Sequence, residues 1–231
     1  MLLSFCIPDM DRTYDLKKIM HYLKAAAQES PPVEIVIVDY NSQDDLEDYI
    51  GQVRRENPWL LLTYRKYRGR DKYHMAHARN LTVKAANGEY IIIFSTDLYP
   101  NPGFLPTIRK IINETGADWV HTSLEFVGVI VLKKSEFMAA GGYDEQFELY
   151  GPEDKDLNAR LHRRGVKSAT FRHNLLGQIH TPDHEKTKNY SVQISKRHMS
   201  ARMQEFLREN NEKGVLVANE GKEWGDWDWV G

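Results

Sequence analysis

Tyr90-Ile-Ile-Ile-Phe94 is a run of apolar and aromatic residues with no polar alternation. That is the pattern of a strand covered on both faces, in the middle of a parallel sheet. It gives way to Ser95-Thr96-Asp97, and Pro100, Pro102 and Gly103 bar its continuation. Residues 2–7 form a second apolar run closed by Pro8, and residues 33–38 a third that stops at Asp39-Tyr40-Asn41-Ser42. Between those two, Leu16, Ile19, Met20, Leu23 and Ala27 recur at helical spacing, which predicts an amphipathic helix over 11–29. A strand, a helix and a strand within about 40 residues form a right-handed βαβ crossover.

The same reading places a helix over 44–56, capped by Ser42 or Asp44, and a third strand over 60–64. A basic and aromatic stretch follows from 65 to 77. Met75, Ala78, Leu81 and Ala85 then give the next helix its core face, and Asn87-Gly88 ends it. Beyond Pro102 the pattern predicts a helix to 112 and strands over 119–122 and 127–132. Gly141-Gly-Tyr-Asp-Glu145 reads as a turn. Residues 152–164 carry full helix punctuation: Pro152 at the first position, Glu153, Asp154 and Asp156 in the first turn, Arg163 and Arg164 in the last, and Gly165 as terminator. A short strand over 168–172, a long polar helix over 190–209 and a tail with three tryptophans complete the chain.

At 231 residues the chain has room for one α/β domain with an extension. Its 31 Lys and Arg against 33 Asp and Glu leave a net charge of −2, which argues against a nucleic-acid backbone as main partner. Cys6 is the sole cysteine and sits in an apolar run, so it reads as a small core hydrophobe in a reducing compartment. No apolar run approaches the ~18 residues of a membrane-spanning helix. No basic start precedes an apolar signal segment. The expectation is a cytoplasmic protein.

Three acidic positions stand out. Asp39 and Asp97 each follow a buried strand, so in one parallel sheet both emerge at the C-terminal edge, where open α/β sheets bind ligands. Asp39, with Asn41 and Ser42 beside it, offers short hydrogen-bonding groups to a nucleoside, or simply caps the next helix. A carboxylate such as Asp97 holds a hard cation against a diphosphate, although Asp after a strand is also ordinary turn chemistry. Glu153 and Asp154 suit the first turn of a helix on electrostatic grounds alone, and an ionised Asp154 there is also suited to accept a proton from a sugar hydroxyl. There is no G-x-G-x-x-G after the first strand, so the dinucleotide-binding fingerprint is missing. His74 and His77 share a helix face but lack a third metal ligand nearby in sequence. The run Arg65, Lys66, Arg68, Arg70 and Lys72 reads as a solvated loop or as contacts for an anionic ligand.

Taken in order, four blocks resemble the signatures of family-2-like glycosyltransferases of the GT-A fold. They are Val38-Asp-Tyr-Asn-Ser42, Ala78-Arg-Asn80, the stretch from Gly88-Glu-Tyr90 to Ser95-Thr-Asp97, and Gly141-Gly-Tyr-Asp-Glu145 leading to Tyr150-Gly-Pro-Glu-Asp154. The last is also similar to the W-G-x-E-D segment of galactosyltransferases and polypeptide GalNAc-transferases. The resemblance spans residues 3–184. It implies a Rossmann-like α/β fold, a mostly parallel central sheet flanked by helices with a C-terminal helical extension. One domain is implied over 1–231: a nucleotide-binding half (1–100), an acceptor and catalytic half (101–184), and a C-terminal helix with a Trp-rich tail (185–231).

The implied activity is metal-assisted transfer of a sugar from a nucleotide-sugar, a UDP-sugar, to an acceptor hydroxyl with inversion. Asp39 would contact the base, and Asp97 matches the last acid of the D-x-D motif that holds the donor and Mn²⁺ or Mg²⁺. Pro8, Asn41, Arg79, Ser95 and Thr96 complete the implied donor-binding set. Asp154 matches the general base, and Glu153 its substrate-binding neighbour. Tyr150 and Gly151 fall on the acceptor side, and His180 where several members place a further metal ligand. The chain departs from the pattern at three points: Ser95 replaces the first acid of D-x-D, Tyr150 the commoner tryptophan, and Tyr40 a second acid after Asp39. Two other readings compete. One is a catalytically silent nucleotide-sugar or glycan-binding domain, which Ser95 favours and Asp154 opposes. The other is a nucleotidyltransferase, which would carry a Gly-rich basic loop where Pro8-Asp-Met-Asp11 stands.

Overall fold

The computed structural model describes residues 1–122 and 128–225, with the backbone of 229–230. Strand β1 (Leu3–Asp9) is buried along its whole length, and its side chains alternate between two helical layers. Leu3, Phe5 and Ile7 face one layer and Cys6 the other. Helix α1 (Thr13–Glu29) lays Leu16, Ile19, Met20 and Leu23 on the first face, and β2 (Val33–Tyr40) pairs in parallel with β1. Helix α2 (Leu46–Glu56) joins the same layer through Leu46, Ile50 and Val53. Strand β3 (Leu61–Tyr67) adds in parallel to β2, helix α3 (Met75–Ala85) covers the opposite face, and β4 (Tyr90–Ile93) pairs in parallel with β1.

The second half is mixed. After β5 (Leu98–Pro100) and helix α4 (Phe104–Thr115) come β6 (Trp119–His121) and β7 (Ile130–Lys133). Strand β7 lies antiparallel to both β4 and β6. Helices α5 (Lys134–Ala139) and α6 (Glu153–Arg163) follow, then β8 (Ser168–Thr170), parallel to β6. Strand β9 (Leu176–Gln178) pairs antiparallel with β5 in a separate two-stranded sheet. Helices α7 (Asp183–Thr187) and α8 (Lys196–Glu212) and strand β10 (Trp229–Val230) end the described chain. The main sheet runs β10-β3-β2-β1-β4-β7-β6-β8. Helices α1, α2 and α4 cover one face, and α3, α5 and α6 the other.

Several boundaries move from those the sequence pattern predicts. Strand β3 continues through Arg65 and Lys66 to Tyr67, so the start of the basic stretch is sheet rather than loop. The periodic pattern hides this because polar side chains there find partners, Lys66 of the strand pairing with Glu47 and Arg68, just beyond it, with Asp39. Helix α8 begins at Lys196 instead of 190. Ser195 caps it by accepting from the His198 N–H, while Tyr190 turns inward against Phe147, Leu149, Met199 and Met203. The β5–β9 pair and α5 were not legible as elements. The predicted strand start at Val127 lies outside the described residues, as does Trp227 of the tail.

Arg160 of α6 is fully buried and holds the turn that precedes the site. It pairs with Asp156 at 2.8 Å and donates to the carbonyls of Ala140 at 2.6 Å and Gly142 at 2.8 Å. Asn210 of α8 in turn bridges Asp144 and Asp156, at 2.9 Å each. Arg160→Ala leaves a buried carboxylate and two carbonyls without their cation. It is expected to cost about 3–5 kcal/mol, read as a lowered denaturant midpoint with an unchanged slope.

Candidate active site

Because β1, β2 and β4 are parallel and in register, Asp39 and the turn after β4 emerge at the same sheet edge. A cleft of about 270 Å³ opens beside that edge. The Ser95-Thr96-Asp97 turn lines it, together with Pro8 at the end of β1. The small β5–β9 sheet fixes this turn: Leu98 N donates to Ser95 O at 3.2 Å and Ile179 N to Asp97 O at 2.9 Å. Asp97 is buried, and both its oxygens are engaged. Ser95 Oγ donates to Oδ1 at 2.6 Å, while Lys186 Nζ at 2.5 Å and Gln178 Nε2 at 3.2 Å share Oδ2. Burial alone would raise its pKa, but the bonds from Lys186 and Ser95, with the charges of Lys186 and Arg12, bring it below the ordinary value.

The opposite wall is built by α3 and the start of α6. Arg79, Tyr150, Gly151, Glu153 and Asp154 all line the cleft. Arg79 Nη1 donates to Asp154 Oδ1 at 2.5 Å and to Glu153 Oε1 at 3.0 Å. Tyr143 OH donates to the same Asp154 oxygen at 2.8 Å. Asp154 therefore faces the cleft and does not fold back as a helix cap, with Oδ1 held and Oδ2 carrying no hydrogen bond from the described residues. Glu153 is 2% exposed, and its Oε2 has no partner among the described residues. Burial, reinforced by the charge of Asp154 and only partly offset by Arg79, raises its pKa from 4.5 to about 8. Two neighbouring acids thus differ in surroundings: Asp154 reaches the cleft beside a guanidinium, and burial favours the protonated form of Glu153.

Three nominated residues lie off the cleft lining. Asp39 is 1% exposed and bound on both oxygens: Ser42 N reaches Oδ1 at 2.7 Å, and Tyr64 OH at 2.9 Å and Arg68 Nη2 at 2.8 Å reach Oδ2. Asn41 sits in the left-handed region at φ 60° and donates to Arg70 O at 3.2 Å and Asp71 Oδ1 at 3.3 Å. His180 is exposed and borders two shallower hollows beside Thr181. His74 and His77 are held inside the fold: His77 Nδ1 meets Tyr40 OH at 2.8 Å, and His74 Nε2 meets Glu145 O at 3.1 Å. Burial lowers their pKa values to about 4 and about 3, so both are neutral.

The cation implied by the resemblance does not fit the donor set present. Among the described residues no three His, Cys, Asp or Glu side chains cluster as metal ligands. Mg²⁺ sites of this kind use one or two carboxylates plus substrate phosphates. Here Ser95 stands in place of one acid, and the oxygens of Asp97 already accept three bonds, one from an ammonium. A dication placed about 4 Å from that ammonium would meet repulsion of roughly 8 kcal/mol at an effective dielectric near 20.

Sequence reasoning missed the cleft's other polar residues: Arg12, Gln178, Glu185, Lys186, Asn189 and Lys196. Arg12 follows Asp9, whose Oδ1 accepts its N–H at 3.1 Å, and its side chain pairs with Asp15 at 2.6 Å. Lys196 Nζ stands 4.6 Å from the Tyr150 ring centroid. These side chains come from the chain's start and from the 178–196 segment, which no short motif marks. The available signal was a density of charged residues just beyond the strand-poor region after 172.

The architecture is shared with solved GT-A glycosyltransferases. The chain aligns with S. aureus TarS in complex with UDP-GlcNAc at a TM-score of 0.71, over 94% of this chain and 70% of that one, with 15% identity. The mannosyltransferase PcManGT of Pyrobaculum calidifontis, in complex with GDP-Man and Mn²⁺, aligns at 0.61, over 74% and 55%, with 18% identity. In sequence, the abequosyltransferase RfbV of Salmonella typhimurium strain LT2 is 33% identical over 99 residues, which are 42% of this chain and 28% of that protein. The profile of glycosyl transferase family 2 matches residues 14–210, and the chain belongs to that family. Among the described residues no helix is long and apolar enough to cross a membrane.

An acid whose pKa rises on folding binds its proton more tightly folded than unfolded. Glu153 therefore stabilises the fold fully below about pH 4.5, and that contribution is lost as pH climbs towards its folded value near 8. Glu153→Gln has no proton to lose. Its stability relative to wild type is expected to improve by on the order of 1 kcal/mol per pH unit between about pH 5 and 8. Denaturant unfolding of both proteins across that range measures it, and a constant difference would count against a protonated Glu153.

Proposed function

We propose that this cleft binds a nucleotide-sugar, UDP-linked, and transfers its sugar with inversion to an acceptor hydroxyl, with Asp154 as general base. One observation carries the reading: Asp154 faces the same cleft as the Ser95-Thr96-Asp97 turn, with one oxygen anchored and the other without a hydrogen bond from the described residues. The anchored Oδ1 fixes the carboxylate, and Oδ2 is placed to accept the hydroxyl proton as the acceptor oxygen attacks the anomeric carbon. The bond from that carbon to the diphosphate breaks, and its electron pair leaves with the phosphate oxygen. The proton ends on Asp154. Glu153, neutral and buried behind it, positions Arg79 and offers its acid proton to a sugar oxygen. The UDP and UDP-GlcNAc bound by the structurally similar TarS support a uridine nucleotide as donor. The Mn²⁺ or Mg²⁺ that the resemblance implies takes no part in this reading, because the cleft as built does not compose its site.

The donor class is tested by thermal stabilisation with a panel of nucleotide-sugars, where a UDP-sugar is expected to give the largest shift. Once donor and acceptor are paired, Asp154→Asn is expected to lower the transfer rate by ~10²–10⁴, with UDP affinity nearly unchanged. Transfer by Asp154→Asn close to the wild-type rate would remove Asp154 as the base. A stabilising ligand without turnover would favour a binding domain.

A further inference from the structure

We propose that the Lys186 ammonium, held against Asp97, is the positive charge on which the donor's diphosphate binds, and that this cleft holds its donor without a divalent metal. The inference rests on the nucleotide-sugar reading above. The Ser95–Asp97 turn carries one negative charge where a D-x-D turn would carry two, and Lys186 balances it with one positive charge at 2.5 Å. Both partners are largely shielded from water, the Lys186 side chain being 18% exposed and that of Asp97 10%. Asp97 is held further by Ser95 Oγ at 2.6 Å and Gln178 Nε2 at 3.2 Å. The pair is therefore a fixed part of the cleft wall and not a mobile surface contact.

The chemistry of the ammonium completes the argument. It has three N–H donors and no acceptor, and Asp97 takes one, so two remain for diphosphate oxygens. Arg12 lines the same cleft, and its guanidinium approaches Thr181 Oγ1 at 3.4 Å through the Nη2 that also holds Asp15. Its Nη1 makes no hydrogen bond to the described residues. A diphosphate entering beside Lys186 thus meets two cations from different parts of the chain, positioned in advance by Asp97 and Asp15. When the bond from the anomeric carbon to the phosphate oxygen breaks, the electron pair and the growing negative charge stay on the diphosphate. Lys186 answers that charge as a fixed cation and gives up no proton, while the acceptor's proton goes to Asp154.

The test is UDP binding by calorimetry to the full chain, in excess EDTA and again in Mn²⁺, with inorganic pyrophosphate as a second probe. Wild type is expected to bind UDP in EDTA within about twofold of its affinity in Mn²⁺. Lys186→Met is expected to weaken that binding about tenfold or more, and Lys186→Arg to restore most of it. Should Lys186→Met fail to fold, Lys186→Gln carries the same comparison. UDP binding that is lost in EDTA and returns with Mn²⁺ overturns the proposal and leaves the donor reading standing. A Lys186→Met protein that binds UDP as tightly as wild type in EDTA overturns the role of Lys186. Pyrophosphate bound in EDTA without UDP supports the charge assignment and removes uridine as the base. Failure of both probes under both conditions overturns this proposal and the donor reading together.

Discussion

The Arg79 guanidinium ties the two halves of the site together. It projects from α3, which packs against β1 and β2, and it grips the first two residues of α6 at 2.5 and 3.0 Å. With 10% of its side chain exposed, it is a buried cation between two acids, and the Tyr143 ring lies 5.1 Å beneath it. Such a cluster adds little net stability compared with an apolar core of the same volume, yet removing one member leaves uncompensated charge. Its value lies in placement. The adjacent residue Asn80 makes a parallel latch: its amide donates to Tyr143 O and Glu145 Oε1 and accepts from Tyr143 N, at 2.8–2.9 Å. Two consecutive residues on one helix thus set both Asp154 and the loop whose tyrosine steadies it.

Much of this was legible in the sequence, for identifiable reasons. The apolar runs at 33–38, broken only by Glu34, and at 90–94 predict central strands because a doubly covered strand leaves no regular polar alternation. Both are central in the sheet. Glu153 and Asp154 were legible because Gly151-Pro152 and the acidic first turn mark a helix start without reference to the rest of the fold. What stayed hidden depends on tertiary pairing. Strands β5 and β9 have three residues each and contain a proline and a glycine, and they are strands only because they meet. Lys186 looks in sequence like any surface lysine of a five-residue helix, and only the fold brings it to Asp97, 89 positions away. Asp39 is the reverse case. Its position at the sheet edge was legible, but no local pattern shows that Tyr64 of β3 and Arg68, just beyond the end of that strand, occupy its oxygens.

Two acids in the cleft are paired with cations from distant segments: Asp97 with Lys186, and Asp154 with Arg79. Glu153, which shares Arg79 with Asp154, is the one left predominantly protonated, since a single guanidinium does not offset two buried carboxylates. The cleft is therefore close to neutral when empty, with cations already aimed by their acids. In the proposed reading, a diphosphate brings the excess negative charge to groups that need no reorganisation to receive it, which is the condition for strong electrostatic stabilisation.

Residues after 184 pack onto the loop that precedes α6. Gly141 and Gly142 turn at φ 73° and 67°, and a Cβ on Gly141 would lie 2.0 Å from Ala218 O. The tail runs directly across this turn. Ala218 N donates to Ala140 O at 3.0 Å, and Asn219 Nδ2 donates to Gly141 O and Tyr143 O at 2.8 Å each. Trp224 packs edge-on against Phe137 and under the Lys84 ammonium, which places this tryptophan in the body of the fold. The loop carrying Tyr143 is thus clamped by Asn80 on one side and by the chain's last described turn on the other. Because Tyr143 OH shares the Asp154 oxygen held by Arg79, the orientation of the Asp154 side chain depends on residues more than 60 positions away in either direction. That dependence explains why the paired glycines stand there: any larger residue would push the tail off the loop and release the tyrosine that steadies Asp154.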